Sequence, residues 1–153
     1  MQDTIKTGNH LQFKMPFITK QYKFCAAHKY WNTEWSKKEN KNIFGKDIYI
    51  HGHNYLLDIS ITGPIDENSG FIINLKTLNY LVEKYVLNIL DHTQIETDIS
   101  WFDNRQPSTE NLVLFIWEQI VNQIPLPAKL YSIKLQETPS IYTEYFGSEN
   151  DKK

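Results

Sequence analysis

The sequence predicts an α+β fold, a four-stranded antiparallel sheet with two helices on one face. Three observations predict it. Residues 17–28 and 54–62 alternate apolar and polar side chains with the period of a strand. Residues 75–90 and 112–124 carry apolar side chains at helical spacing. Two further alternating runs, 130–137 and 141–146, close the chain. The order strand–strand–helix–helix–strand–strand fits hairpins covered by a helical layer.

In the first run Ile18, Tyr22, Phe24 and Ala26 share a face, and the same parity reaches His28; Lys23 and Cys25 point the other way. Residues 29–46 are polar, with Trp31 and Trp35 embedded and no clear period, so they read as a long loop, functional or disordered. The second strand opens on His51-Gly52-His53. Both histidines fall on the face of Tyr55, Leu57, Ile59 and Ile61. Residues 63–70 are dense in turn formers, and residues 71–73 read as a short returning strand. Asn74 caps a helix whose stripe includes Leu78, Leu81, Val82, Val86 and Leu90. After an irregular stretch, Ser108 or Thr109 caps a second helix that Pro125 and Pro127 stop. In the third strand Tyr131, Ile133, Leu135 and Glu137 share the inward face.

The length of 153 residues suits one domain with a real core, placed at residues 17–147 between flexible tails, 1–16 and 148–153. The 41% apolar and 22% charged content is that of a soluble globular protein. A net charge of −2 with scattered basic residues points away from nucleic acid and anionic membranes. The single cysteine, Cys25, rules out an internal disulfide and fits a cytoplasmic location. The N-terminus lacks an apolar signal core, and apolar runs such as 112–117 are too short to span a bilayer.

Two imidazoles side by side on an apolar face are either a pair of metal ligands or a hydrogen-bonded structural pair. His28 ends another strand on its apolar face. If the strands pair, three imidazoles converge and leave a fourth zinc position open, as catalytic sites do; otherwise His28 is a core histidine. Asp47, four residues before His51, either reaches the metal's substrate side or is an exposed loop residue. Asp91-His92 is either part of a proton relay or a helix cap. Glu137 on an apolar face needs a partner, either a planar pair of ligand donors or a basic side chain. Glu110, in a first helical turn, is accounted for by the helix dipole.

Phe24-Cys-Ala-Ala-His28, Phe44-Gly-Lys-Asp47, His51-Gly-His-Asn-Tyr55, residues 66–70, Leu90-Asp-His92, Ser108-Thr-Glu-Asn111 and Gln136-Glu-Thr138 occur in that order. This succession resembles the 6-pyruvoyltetrahydropterin synthase / 6-carboxytetrahydropterin synthase family, the latter of the queuosine pathway. The resemblance implies the tunnelling fold and homo-oligomers, trimers or hexamers, with sites between subunits. It implies Zn2+ on His28, His51 and His53, proton transfer by Asp91 and His92, and a pterin ring anchored by Glu137 with Thr109 and Glu110 nearby. The implied substrate is 7,8-dihydroneopterin triphosphate, and the implied activity that of a carbon–oxygen lyase.

One position departs from the family. The synthases carry a proton-transferring cysteine where this chain has Asp47. A carboxylate has a reference pKa about four to five units below a thiol, so an aspartate there would be a weaker base unless burial raised its pKa. Members with glutamate at this place resemble an aldolase-like branch that yields 6-hydroxymethyldihydropterin for folate. Three outcomes follow: a synthase with altered chemistry, a folate-branch lyase, or a zinc- and pterin-binding module without turnover.

Overall fold

A computed structural model of the chain describes residues 15–148. The two expected tails fall almost entirely outside these residues. Strand β1 (Phe17–His28) is followed by helix α1 (Lys37–Phe44) and a 3-10 turn, Gly45–Ile48. Strand β2 (His51–Thr62) leads to α2 (Leu75–Val82), a π-helical segment (Glu83–Leu87) and α3 (Asn88–Leu90). Then come β3 (Thr93–Gln94), α4 (Ile95–Asp98), α5 (Thr109–Ile120), β4 (Lys129–Thr138) and β5 (Ile141–Tyr145).

The predicted four-stranded antiparallel sheet is present as β1-β2-β4-β5. A fifth strand, the two-residue β3, extends it by pairing parallel with Ala26 and Ala27 of β1. One face of the sheet, including Tyr55, Leu57, Ile59, Ile133 and Leu135, packs on Leu78, Val82, Val86, Leu112 and Ile116 of the helices. Leu78, Val82, Val86 and Leu90 are all fully buried. A strict four-residue spacing drifts around a helix of 3.6 residues per turn. The wider π-helical turn absorbs that drift and keeps the four side chains on the core.

Three sequence expectations change. Residues 71–73 form no strand; only Ile73 is buried, and Asn74 caps α2 by accepting from the Lys76 N–H. Tyr131 does not face inward. Ser60 pairs with Ser132 but Ile61 pairs with Leu130, so Tyr131 is the extra residue of a bulge. Leu130 takes the inward place, and Tyr131 stacks on Phe17 at the sheet surface.

Residues 29–46 are not all loop. Ser36 and Glu39 form a reciprocal capping box that starts α1. Fully buried Asn40 then ties the helix to the preceding loop. Its amide accepts from the Asn32 N–H at 2.7 Å and donates to the carbonyls of Asn32, Trp35 and Ser36 at 2.9 to 3.2 Å. Gly45 ends α1 at φ 60, ψ −127, a conformation in effect reserved for glycine. The turn that follows carries Asp47. Replacing Asn40 with Ala leaves buried backbone groups unpaired, which costs about 1–3 kcal/mol. Chemical denaturation of Asn40→Ala is expected to show a loss of that size; a loss below about 0.5 kcal/mol, the range of ordinary surface changes, contradicts this account of the segment.

Candidate metal centre

The pairing of β1 with β2 sets His28 opposite His51, and Ala26 opposite His53. All three histidines lie on the inward face at the end of the sheet. One ring nitrogen from each lies within 4.8 Å of the other two.

Their hydrogen bonds fix which nitrogen is presented. His28 Nδ1 is 2.7 Å from the Pro107 carbonyl, and His51 Nδ1 is 2.9 Å from the Tyr49 carbonyl. A carbonyl only accepts, so each Nδ1 carries the proton, and each neutral ring then presents an Nε2 lone pair. Those two Nε2 atoms are 3.0 Å apart. A shared proton there would need one ring charged, and burial pushes His28 down to about 4. Burial also lowers His53. His53 Nε2 is buried without a hydrogen-bond partner. Ring nitrogens gathered this closely at a largely buried face suit an electron-pair acceptor, and three imidazoles suit zinc.

Two carboxylates flank the cluster. Glu137 Oε1 lies 3.4 Å from Nε2 of both His28 and His53, and it too is buried without a hydrogen bond. Burial pushes the Glu137 carboxyl up; His51 opposes this, while Asp47 and Glu110 add to it. Asp47 is more than half exposed, with Oδ1 3.9 Å from His51 Nε2. Thr109 opens α5 almost fully buried; its hydroxyl lies 2.8 Å from that of Thr143 and donates to Glu110 at 3.2 Å.

Asp91 Oδ2 lies 2.9 Å from His92 Nδ1, but the two do not join the cluster. Asp91 accepts from the Cys25 N–H and the His92 N–H donates to the Cys25 carbonyl, which clamps the pair beside β1. The Cys25 N–H, with the neighbouring His92, holds the Asp91 carboxyl below its usual range. His92 adopts φ 61 and is 82% exposed, beside Cys25, Ala27 and Asn54 of the outward face. Among the described residues, neither Asp91 nor His92 bonds to the histidines, Asp47 or Glu137. Cys25 faces outward as expected, its thiol donating to Asn54.

Sequence reasoning missed the supports of the cluster. The Pro107 and Tyr49 carbonyls are backbone groups with no residue signature. Tyr55, fully buried beneath His28 and His53, keeps its hydroxyl without a partner. Glu96 lies in a stretch with no regular sequence period, yet its charge acts on His28 and Tyr55.

The signature of 6-pyruvoyl tetrahydropterin synthase matches residues 17–148. The chain belongs to that family. A Drosophila melanogaster 6-pyruvoyl tetrahydrobiopterin synthase is 36% identical over 138 residues, 89% of this chain and 82% of the relative. A 6-carboxy-5,6,7,8-tetrahydropterin synthase of Rickettsia conorii is 24% identical, over 82% of this chain and 96% of the relative. The structure of Caenorhabditis elegans 6-pyruvoyl tetrahydropterin synthase superposes with a TM-score of 0.79 at 31% identity, covering 89% of this chain and 99% of that one. Membership establishes the tunnelling fold. Among the described residues, no helix is long and apolar enough to cross a membrane.

In this family member the burial of His28 has a measurable consequence. Folded His28 stays neutral down to about 4, whereas the unfolded ring takes up a proton near 6.5. The metal-free protein should therefore lose stability as pH falls between these values, by up to about 1.4 kcal/mol per pH unit. Thermal unfolding in chelator from pH 7 to 4 is expected to fall more steeply for the parent than for His28→Gln. Equal slopes contradict the burial argument.

Proposed function

We propose that the protein is a zinc-dependent lyase acting on 7,8-dihydroneopterin triphosphate or a related dihydropterin, with Asp47 as its base. The observation that carries this reading is the facing pair of Nε2 lone pairs, 3.0 Å apart, with the Glu137 carboxylate beside them. His28, His51 and His53 would hold the zinc. Bound there, zinc supplies Lewis acidity toward the side-chain oxygens of the pterin.

The chain's own groups supply the rest. Glu137 accepts two hydrogen bonds from the ring's amide and amino N–H groups, a charge-assisted contact. Its burial disfavours the bare carboxylate, and paired donors compensate that. Thr109, bonded to Thr143, and Glu110 would flank the same end of the ring pocket. Asp47 takes a proton from a side-chain carbon as the adjacent carbon–oxygen bond to triphosphate breaks, and triphosphate leaves with the bonding pair. Asp91 and His92, clamped beside β1 and exposed, serve the site of a second copy in a homo-oligomer. There the pair would donate a proton to the product, while Asp47 gives up to water the proton it took.

Asp47 also favours a second reading. A carboxylate base suits the aldolase-like branch that releases 6-hydroxymethyldihydropterin. A solved Plasmodium vivax family member is described with a glutamate as a catalytic residue. Mass spectrometry of the product after incubation with dihydroneopterin triphosphate separates the two readings: loss of triphosphate marks the lyase, and a shortened side chain marks the aldolase. No product from any dihydropterin contradicts both.

Two variants test the residue roles. Asp47→Asn is expected to abolish turnover while zinc and pterin binding persist, and parent-level turnover would assign the base elsewhere. Glu137→Gln replaces one acceptor with a donor, and pterin binding should weaken by about 1.5–3 kcal/mol. Calorimetric titration showing unchanged affinity would remove Glu137 from the ring site.

A further inference from the structure

A cleft of about 550 Å³ opens at the end of the sheet away from the histidines. Strand β2 runs from His51 to Thr62, and Thr62 lines the cleft, so about 35 Å of strand separates it from the metal centre. Ile124, Leu126 and Leu130 form an aliphatic wall, and Trp117, Tyr131 and Phe146 an aromatic one. Tyr131 is the bulge residue of β4, and a bulge re-aims a side chain. Its ring meets Phe146 edge-on with centroids 5.9 Å apart, while Phe17 stacks against it. Leu126 is 80% exposed and Phe146 49%. Single exposed apolar side chains need no explanation, but a concavity of this size lined by them is the usual make-up of a small-molecule site.

Two polar groups give the cleft a chemical preference. Trp117 is 4% exposed, and its indole N–H is buried with no acceptor. A buried donor left unpaired is costly, and an acceptor atom on a bound molecule relieves that cost. Lys129 also lines the cleft and is exposed. Among the described residues it forms no ion pair, and no Asp or Glu lines the cleft. We propose that the cleft binds a small aromatic anion. Its flat ring lies among Trp117, Tyr131 and Phe146, its anionic group pairs with Lys129, and a second oxygen accepts from the Trp117 indole. None of these residues belongs to the metal centre, so the inference stands apart from the pterin reading.

The probe is 6-hydroxy-2-naphthoate, an aromatic anion with a second oxygen, added to the full chain. Nitrogen-15 NMR gives one indole N–H resonance per tryptophan, four in this chain. Trp117→Phe, which keeps an aromatic ring, assigns the one that belongs to the cleft. If that variant folds poorly, Trp31→Phe, Trp35→Phe and Trp101→Phe assign it by elimination. The naphthoate is expected to move the Trp117 resonance and leave the other three in place. Lys129→Gln removes the charge and should weaken binding about 5-fold, the upper range for an exposed ion pair. Lys38→Gln, at an exposed lysine of α1, should leave binding unchanged. The neutral 6-hydroxy-2-naphthamide should bind the parent about as weakly as the naphthoate binds Lys129→Gln.

A Trp117 resonance that the naphthoate leaves unmoved overturns the site. Equal affinity for parent and Lys129→Gln, or for naphthoate and naphthamide, overturns the anionic class of the ligand. Sedimentation distinguishes the remaining occupant. Naphthoate that binds only as it separates subunits assigns the cleft to a second copy of the chain and overturns the proposal. Binding at unchanged sedimentation, with the Trp117 shift and the loss in Lys129→Gln, is the result the cleft's chemistry requires.

Discussion

Two hydrogen bonds from imidazole to backbone carry the site. Pro107 and Tyr49 each offer a carbonyl to an Nδ1–H, and in doing so turn two Nε2 lone pairs toward each other. Lone pairs at that distance repel unless something positive lies between them, and the apolar surroundings disfavour a proton. Three ring nitrogens so placed could hold a cation. Much of the fold serves to place those two carbonyls. Pro107 precedes the Ser108 cap of α5, and Tyr49 follows the turn that ends the α1 segment.

The sheet supplies the remaining geometry. Antiparallel pairing of β1 with β2 sets His28 across from His51 without any special loop. The two bulges in β4 matter differently. The first exchanges Tyr131 for Leu130 in the core, and the second falls at Glu137, beside the histidines. The Asp91–His92 pair is held with equal care on the outward side, by bonds to the Cys25 backbone. A positive φ at a non-glycine residue is a conformation that its surroundings must enforce. The contacts with β1 do so at His92.

Much of this was legible in the sequence. Alternation exposed β1 and β2 and put His28, His51 and His53 on one face, because strand parity survives wherever pairing is regular. It failed at Tyr131, since a bulge changes parity without altering composition. The stripe through Leu78, Val82, Val86 and Leu90 announced a helix, but not the π-helical turn that keeps it buried. Helix α1 was missed although Ser36 and Glu39 stand at capping-box spacing; its polar interior, with Asn40 as the one buried side chain, gives no apolar period. The carbonyls of Pro107 and Tyr49 were beyond reach, because any residue type can supply a carbonyl. That Asp91 and His92 stand apart from the histidines also required the fold, since adjacency in a motif list carries no distance.

The central claim is that the protein directs unprotonated Nε2 atoms at a single ion. Nitrogen-15 NMR of the histidine side chains reads this directly. The metal-free protein at neutral pH is expected to show His28 and His51 as neutral Nδ1–H tautomers. Added zinc should shift the Nε2 resonances of His28, His51 and His53 together and saturate at one equivalent. An imidazolium shared between His28 and His51, or Nε2–H tautomers that zinc leaves unmoved, would contradict the account.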